Sequence, residues 1–304
     1  MARFIRVYSC PFVVPNLTQP SHRNRPTKAP HLTVTATAPV IVEGQFQYIN
    51  GLAVTVYGTG EPVVMSAGLG GHGAYWRPQL TALSDYSVIL YDHRGTGDSA
   101  RELPDTYSAA DLADDIKRII NGLDHENAHV VGHAAGAVAA LELARTSPDK
   151  IKSLTLVNGF AKADQWFKRC FDIRLAIYES GGAEAYLKAQ PTFLFPAEWI
   201  ADHLDELDAQ AAHHAPGFQS ESALRARIGA LRDFDVSDSL SEIDCPVLVV
   251  GSLDDMLVPV RCSLALADTL PYAHLAALQW GGHACNVTVP DDFNGHLLNF
   301  LKGL

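Results

Sequence analysis

Val130-Val131-Gly132-His133-Ala134-Ala135-Gly136-Ala137 decides the reading of this chain. Ala128 to Val131 is a mostly apolar run and reads as a buried strand. Ala137 to Arg145 reads as a helix, and no loop residues separate the two. A strand that turns this sharply into a helix crowds its own backbone, so small residues are needed on both sides, and Gly132 and Gly136 bracket the join. A glycine-bracketed junction of this kind lifts its central side chain out on a strained turn, and that residue is ordinarily a nucleophilic serine. Here it is Ala134, which has no nucleophile. The frame of a nucleophile elbow is present and the attacking atom is missing.

Working outward, 304 residues with a 47% hydrophobic fraction suffice for one large α/β domain with an insertion. A net charge of −11 argues against nucleic acid and anionic membranes as partners. No apolar stretch is long enough to span a bilayer. Five dispersed cysteines, with neither metal nor disulfide spacing, fit a reducing compartment, and a cytoplasmic location is expected. The expected partner is a small-molecule substrate. No metal or cofactor is called for, and a homodimer is left open.

Residues 1–42 differ from the rest. They hold Arg3, Arg6, Arg23, Arg25 and Lys28, several prolines and no acidic residue. The prolines oppose a stable helix, so a disordered extension is expected, with organellar targeting as the alternative.

From Glu43 onward the chain reads as alternating strands and helices. Asn50-Gly51 marks a hairpin between Gln45–Ile49 and Leu52–Val56. Strands follow at Pro62–Met65 and Tyr86–Tyr91, then a helix at Ala109–Leu123, the elbow, and a strand at Ile151–Val157. The alternation stops at Phe160 and resumes near Pro246, with a helix at Cys262–Leu270, a strand at Leu275–Leu278 and a last helix from Pro290. Alternation of this kind predicts a mostly parallel, doubly wound sheet. Residues 43–159 and 236–304 form its core. Residues 160–235, helical in composition and rich in aromatics, form an inserted cap.

Ligands of such sheets bind at the carboxyl ends of the strands, where four pieces gather. The elbow is one. Gly68-Leu69-Gly70-Gly71 is the second, and in an elbow-bearing sheet the backbone N–H groups of Leu69 and Ala135 would form an oxyanion hole. The third is Asp254-Asp255, one of which would orient a catalytic imidazole; the distance to Val258-Pro259 favours Asp255 and leaves Asp254 open. The fourth is His283, in Gly281-Gly282-His283-Ala284-Cys285-Asn286 after the last strand. The order nucleophile position, acid, histidine matches one triad family and no other. His133 reads as a packing residue. Cys285 is a weak candidate nucleophile, because it lies away from the place at which the oxyanion hole is aimed.

With these pieces in place the chain resembles the α/β-hydrolase superfamily from about Glu43 to Leu304. Within it, the chain is similar to the pyrimidine-utilisation protein D group. The stretches that carry this are Gly68-Leu69-Gly70-Gly71 with Tyr75-Trp76, and Arg94-Gly95-Thr96-Gly97. In the cap they are Arg169-Cys170-Phe171, Ser180-Gly181-Gly182-Ala183 and Ala189-Gln190-Pro191. Asp254-Asp255 with Leu257-Val258-Pro259, and Gly281 to Thr288, complete them. That group also tends to carry alanine in its elbow. The resemblance implies hydrolysis of 3-aminoacrylate or carbamate in uracil breakdown, by water that His283 activates and with Asp255 fixing its tautomer. Both substrates are anions, so the resemblance also asks for a cation, for which Arg169 and Arg174 are candidates, with Trp76 as a further substrate contact. Two other readings stand beside it: a serine esterase or amidase with Ser replaced by Ala134, and a non-catalytic binding protein on the same scaffold.

Overall fold

A computed structural model describes residues 44–304; the disordered or targeting extension expected at residues 1–42 lies outside them. Eight strands form one sheet: β1 (Gln45–Ile49), β2 (Leu52–Tyr57), β3 (Pro62–Ser66), β4 (Ser87–Tyr91), β5 (Ala128–His133), β6 (Ile151–Val157), β7 (Val247–Ser252) and β8 (Ala273–Leu278). Their order is β1-β2-β4-β3-β5-β6-β7-β8. The β1–β2 and β2–β4 pairs are antiparallel and the remaining pairs are parallel. The hairpin turns at Asn50 and Gly51, both at positive φ (51° and 81°), the geometry that an Asn-Gly pair favours.

The parallel strands are buried on both faces, and successive residues go to opposite layers. Val64, Ile89, Val130, Leu154 and Val249 face one core, which holds α1 (Ala109–Gly122) and α2 (Ala135–Thr146). Met65, Leu90, Val131 and Val250 face the other. Phe293, Leu297 and Leu301 on the last helix, Pro290–Lys302, fill that second layer, together with Trp76. Helices on both faces of a mostly parallel sheet are the α/β-hydrolase architecture. On α1 the apolar residues Leu112, Ile116, Ile119 and Ile120 share the inward stripe, and Ser108 and Asp111 close a reciprocal cap at its start.

Between β6 and β7 the chain makes only helices and short turns. They are α3 (Gln165–Ala189), α4 (Pro191–Leu194), α5 (Ala197–Asp202), α6 (Leu204–His214) and α7 (Glu221–Asp233). Asp164 caps α3 by accepting the Phe167 N–H at 2.7 Å, and α3 breaks at Gly182, where φ is 67°. The way in and the way out meet: Lys162 and Asp235 pair as one antiparallel bridge, and Val236 N–H donates to the Ala161 carbonyl at 3.0 Å. Phe160, Phe167, Phe171, Leu231 and Phe234 join this insertion to the α2 side of the core.

Candidate active site

At the end of β5 the chain turns at Ala134, with φ 49° and ψ −103°. A positive φ strains any residue with a Cβ, by about 1–3 kcal/mol, so the surroundings must hold it. Ala134 N–H donates to the Val157 carbonyl at 3.0 Å, and its own carbonyl accepts from Val138 at 3.1 Å. The flanking glycines are required by close approach. A Cβ on Gly132 would run into the Gly136 carbonyl oxygen, and one on Gly136 into that of Ser66. The Ala134 methyl group faces the cavity at the point where a hydroxyl would stand.

The Gly68–Gly71 loop follows β3 as a four-residue turn closed by Gly71 N–H donating to the Gly68 carbonyl at 2.9 Å. The Gly71 carbonyl in turn accepts from His93 N–H (2.7 Å) and from the Thr96 hydroxyl (3.2 Å). The Leu69 N–H, at the tip of this turn, finds no acceptor among the described residues. Ala135 is the first residue of α2, where an N–H has no intrahelical acceptor. Leu69 and Ala135 both line the cavity that Ala134 and His283 line. Two N–H donors on one cavity suit an oxygen that gains negative charge.

Asp255, after β7, and His283, after β8, are both buried. His283 Nδ1–H donates to Asp255 Oδ2 at 2.7 Å. The other carboxylate oxygen accepts the N–H groups of Leu257 (2.8 Å) and Val258 (2.9 Å). A carboxylate held from behind by two amides presents its free edge to one imidazole nitrogen. The tautomer that follows has the proton on Nδ1 and the lone pair on Nε2, so Nε2 is the atom left to take a proton. Asp254 does something else. Its carboxylate accepts the Ser252 hydroxyl (2.6 Å) and the N–H groups of Gly282 (2.9 Å) and Gly281 (3.3 Å), and so shapes the loop that carries His283.

Two supporting groups escape a reading of the sequence. Asn158, at positive φ after β6, donates its amide to the His283 carbonyl at 2.7 Å and accepts the Ser252 N–H at 3.1 Å. His133, expected to pack, also donates Nε2–H to that carbonyl at 2.8 Å. Its ring lies under Tyr75, with centroids 4.9 Å apart. Burial and the neighbouring His283 hold the His133 imidazole well below its ordinary range, so it stays neutral. An asparagine at the carboxyl end of a central strand is the sequence signal that was available for the first. Cys285 is fully buried and receives the Asn158 amide, and burial pushes its thiol up to about 12. A thiol held protonated in this way is a poor nucleophile.

The remaining site candidates separate. Trp76 is not a cavity residue. It is completely buried in the second core layer, against Phe293 (centroids 6.2 Å apart), because the short 3-10 helix Gly73–Gln79 turns it toward the sheet. Arg169 is exposed on α3 and does not line the cavity. Arg174, five residues on, lies on the inward side of the same helix, 4% exposed, and lines the cavity. The cavity holds about 690 Å³ between the strand ends and the cap. Among the described residues no cluster of three metal-type ligands occurs, and no helix is long and apolar enough to cross a membrane.

Comparison with known proteins agrees with this architecture. The sequence profile of a family described as alpha/beta hydrolase fold matches residues 61–193. A protein of Caulobacter sp. (strain K31) named "Putative carbamate hydrolase RutD" is 50% identical over 244 residues, 80% of this chain and 91% of that protein. Its namesake in Caulobacter vibrioides (strain NA1000 / CB15N) is 48% identical over the same shares. Among solved structures, a hydrolase from Pseudomonas aeruginosa PA01 superposes with a TM-score of 0.76 at 24% identity, over 85% of this chain and 98% of that one. The chain belongs to the α/β-hydrolase family and, within it, to the RutD group of hydrolases.

Proposed function

We propose that this protein hydrolyses a small activated C–N compound, 3-aminoacrylate or carbamate, in pyrimidine breakdown, with His283 activating water and without a serine nucleophile. The observation that carries the reading is the pairing of a complete Asp255–His283 couple and two N–H donors with a bare methyl group at Ala134. The base and the oxyanion donors are kept and only the nucleophile is missing, so water takes its place. Water gives a proton to His283 Nε2 as its oxygen bonds to the substrate carbon, and the N–H groups of Leu69 and Ala135 receive the developing negative charge. The imidazolium, steadied by Asp255, then returns the proton to the departing nitrogen, which leaves as ammonia. Both substrates decompose unaided in water, so the modest acceleration of one general base is enough. The test is the rate of substrate loss above the spontaneous background, with mass spectrometry of the protein during turnover. Wild type is expected to accelerate the loss with no covalent adduct, and His283→Ala to lose roughly 10²–10⁴ of that acceleration. Equal rates in the two proteins would make this a binding module.

The positive φ at Ala134 favours a second reading, in which the frame is that of a serine esterase or amidase. Ala134→Ser is expected to give a burst with nitrophenyl acetate, since the partner groups are already in place. A folded variant without burst or turnover would rule the esterase frame out.

A further inference from the structure

Arg174 is a buried cation without an anion. Its residue is 4% exposed, its Nε has no hydrogen-bond partner, and no carboxylate of the described residues pairs with it. Its one side-chain hydrogen bond among the described residues is to the Gln190 side-chain oxygen, at 3.4 Å from Nη2, a weak contact. The guanidinium is otherwise packed among rings, 4.9 Å from the centroids of Phe171 and Tyr186 and 5.6 Å from that of Phe193. A desolvated charge is costly unless an opposite charge or hydrogen bonds compensate it, and rings do so only in part. The other deeply buried arginine of the insertion, Arg227, also has no carboxylate among the described residues and leaves its Nε unpartnered, but both its terminal nitrogens are used. It donates to Gln219 at 2.9 Å and to His93 Nδ1 at 3.0 Å, and it does not line the cavity. Arg174 does line it, as does Gln190.

The second observation is size. At about 30 Å³ per heavy atom, a six-atom acid would fill roughly a quarter of a cavity of 690 Å³. Phe160, Phe167 and Phe171 make one wall of the remainder. A cavity of this volume is in the range that holds ligands many times larger than carbamate.

We propose that Arg174, with Gln190 beside it, is a carboxylate anchor in the cap, and that the cavity accepts organic carboxylates with an apolar body much larger than a three-carbon acid. The guanidinium receives the carboxylate, the Gln190 amide nitrogen is free to donate to it, and the phenylalanine wall covers the body. This goes beyond the hydrolysis proposed above and does not depend on it, because it concerns binding at groups other than His283.

Calorimetric titration tests it with four probes: acrylate, propionate, 3-phenylpropionate and its neutral isostere 3-phenylpropanamide. Wild type is expected to bind 3-phenylpropionate at least about tenfold more tightly than acrylate, propionate or the amide. Arg174→Met is expected to weaken the acid roughly ten- to hundredfold and to leave the amide unchanged, with Arg174→Lys between the two. Replacing a buried charge by an apolar side chain of similar length is seldom harmful to folding. If Arg174→Met nevertheless fails to fold, the comparison of acid with amide in wild type decides alone. Equal affinity for acid and amide, or an acid affinity that Arg174→Met leaves intact, overturns the anchor. Acrylate binding as tightly as 3-phenylpropionate overturns the apolar body. The titration involves no turnover and is read on wild type and the Arg174 variants alone, so that a failure of the hydrolytic reading leaves this result standing.

Discussion

The half of the cavity built by the sheet and the half built by the cap treat their polar groups in opposite ways. On the sheet side, Asp255 spends its carboxylate on Leu257, Val258 and His283, and the His283 carbonyl is held by both Asn158 and His133. The groups left open there are the few that a reaction would use. On the cap side, Arg174 is buried with hardly any partner at all. The sheet side is held in place by its own hydrogen bonds. The cap side is completed by what enters. On the two proposals above, chemistry belongs to the strand ends and recognition to the helices above them.

That division can be broken first at the carboxylates. Asp255→Asn should lower the rate of substrate loss by less than the full effect of removing His283, because an imidazole with a poorer partner still takes a proton. Asp254→Asn should cost less again, since it loosens the Gly281–Gly282 loop and leaves the His283–Asp255 bond intact. A larger loss at Asp254 would show that loop placement, not imidazole orientation, limits the rate.

Trp76 sharpens the comparison on stability. It belongs to the core under the sheet side, so Trp76→Ala should destabilise the fold by about 3–5 kcal/mol, measured by denaturant titration. A stable variant with weakened ligand binding would return Trp76 to the cavity wall. The smallest effect concerns Cys285. Its thiol, pushed up to about 12, stays protonated through neutral pH, so iodoacetamide at pH 8 should leave it unmodified in the folded protein and modify it after denaturation. Rapid native labelling with loss of activity would make it the missing nucleophile.

The two halves also differ in how far they can be read from sequence. The elbow glycines and the Gly68–Gly71 turn are local patterns with a steric cause, and the structure brings Asp255 and His283 together after β7 and β8. Asp254 and Asp255 are told apart by what they meet: Asp254 takes the amides of a loop 27 and 28 residues away, whereas Asp255 takes those of the next turn and the His283 ring. In the cap, Arg169 and Arg174 stand five residues apart on one long helix, and five residues is more than one turn. Which of them faces inward depends on how α3 is rotated against the core, and that rotation is set by Phe167, Cys170 and Phe171 together. Trp76 was a similar case: an aromatic beside a Gly-rich loop is as suitable for a core as for a cleft, and the 3-10 turn decides.

The bridge between Lys162 and Asp235 has a consequence for the history of such proteins. The insertion leaves the body of the molecule and comes back at neighbouring positions, so the sheet closes over its absence with almost no gap. An exchange of that segment for another of different length would leave the strands in place, since insertions are best tolerated where their two ends already adjoin, but it would have to replace the Leu194 carbonyl that accepts the Ala284 N–H. Selection can then rewrite what the protein accepts by replacing one contiguous stretch of gene, while the machinery beneath is inherited whole.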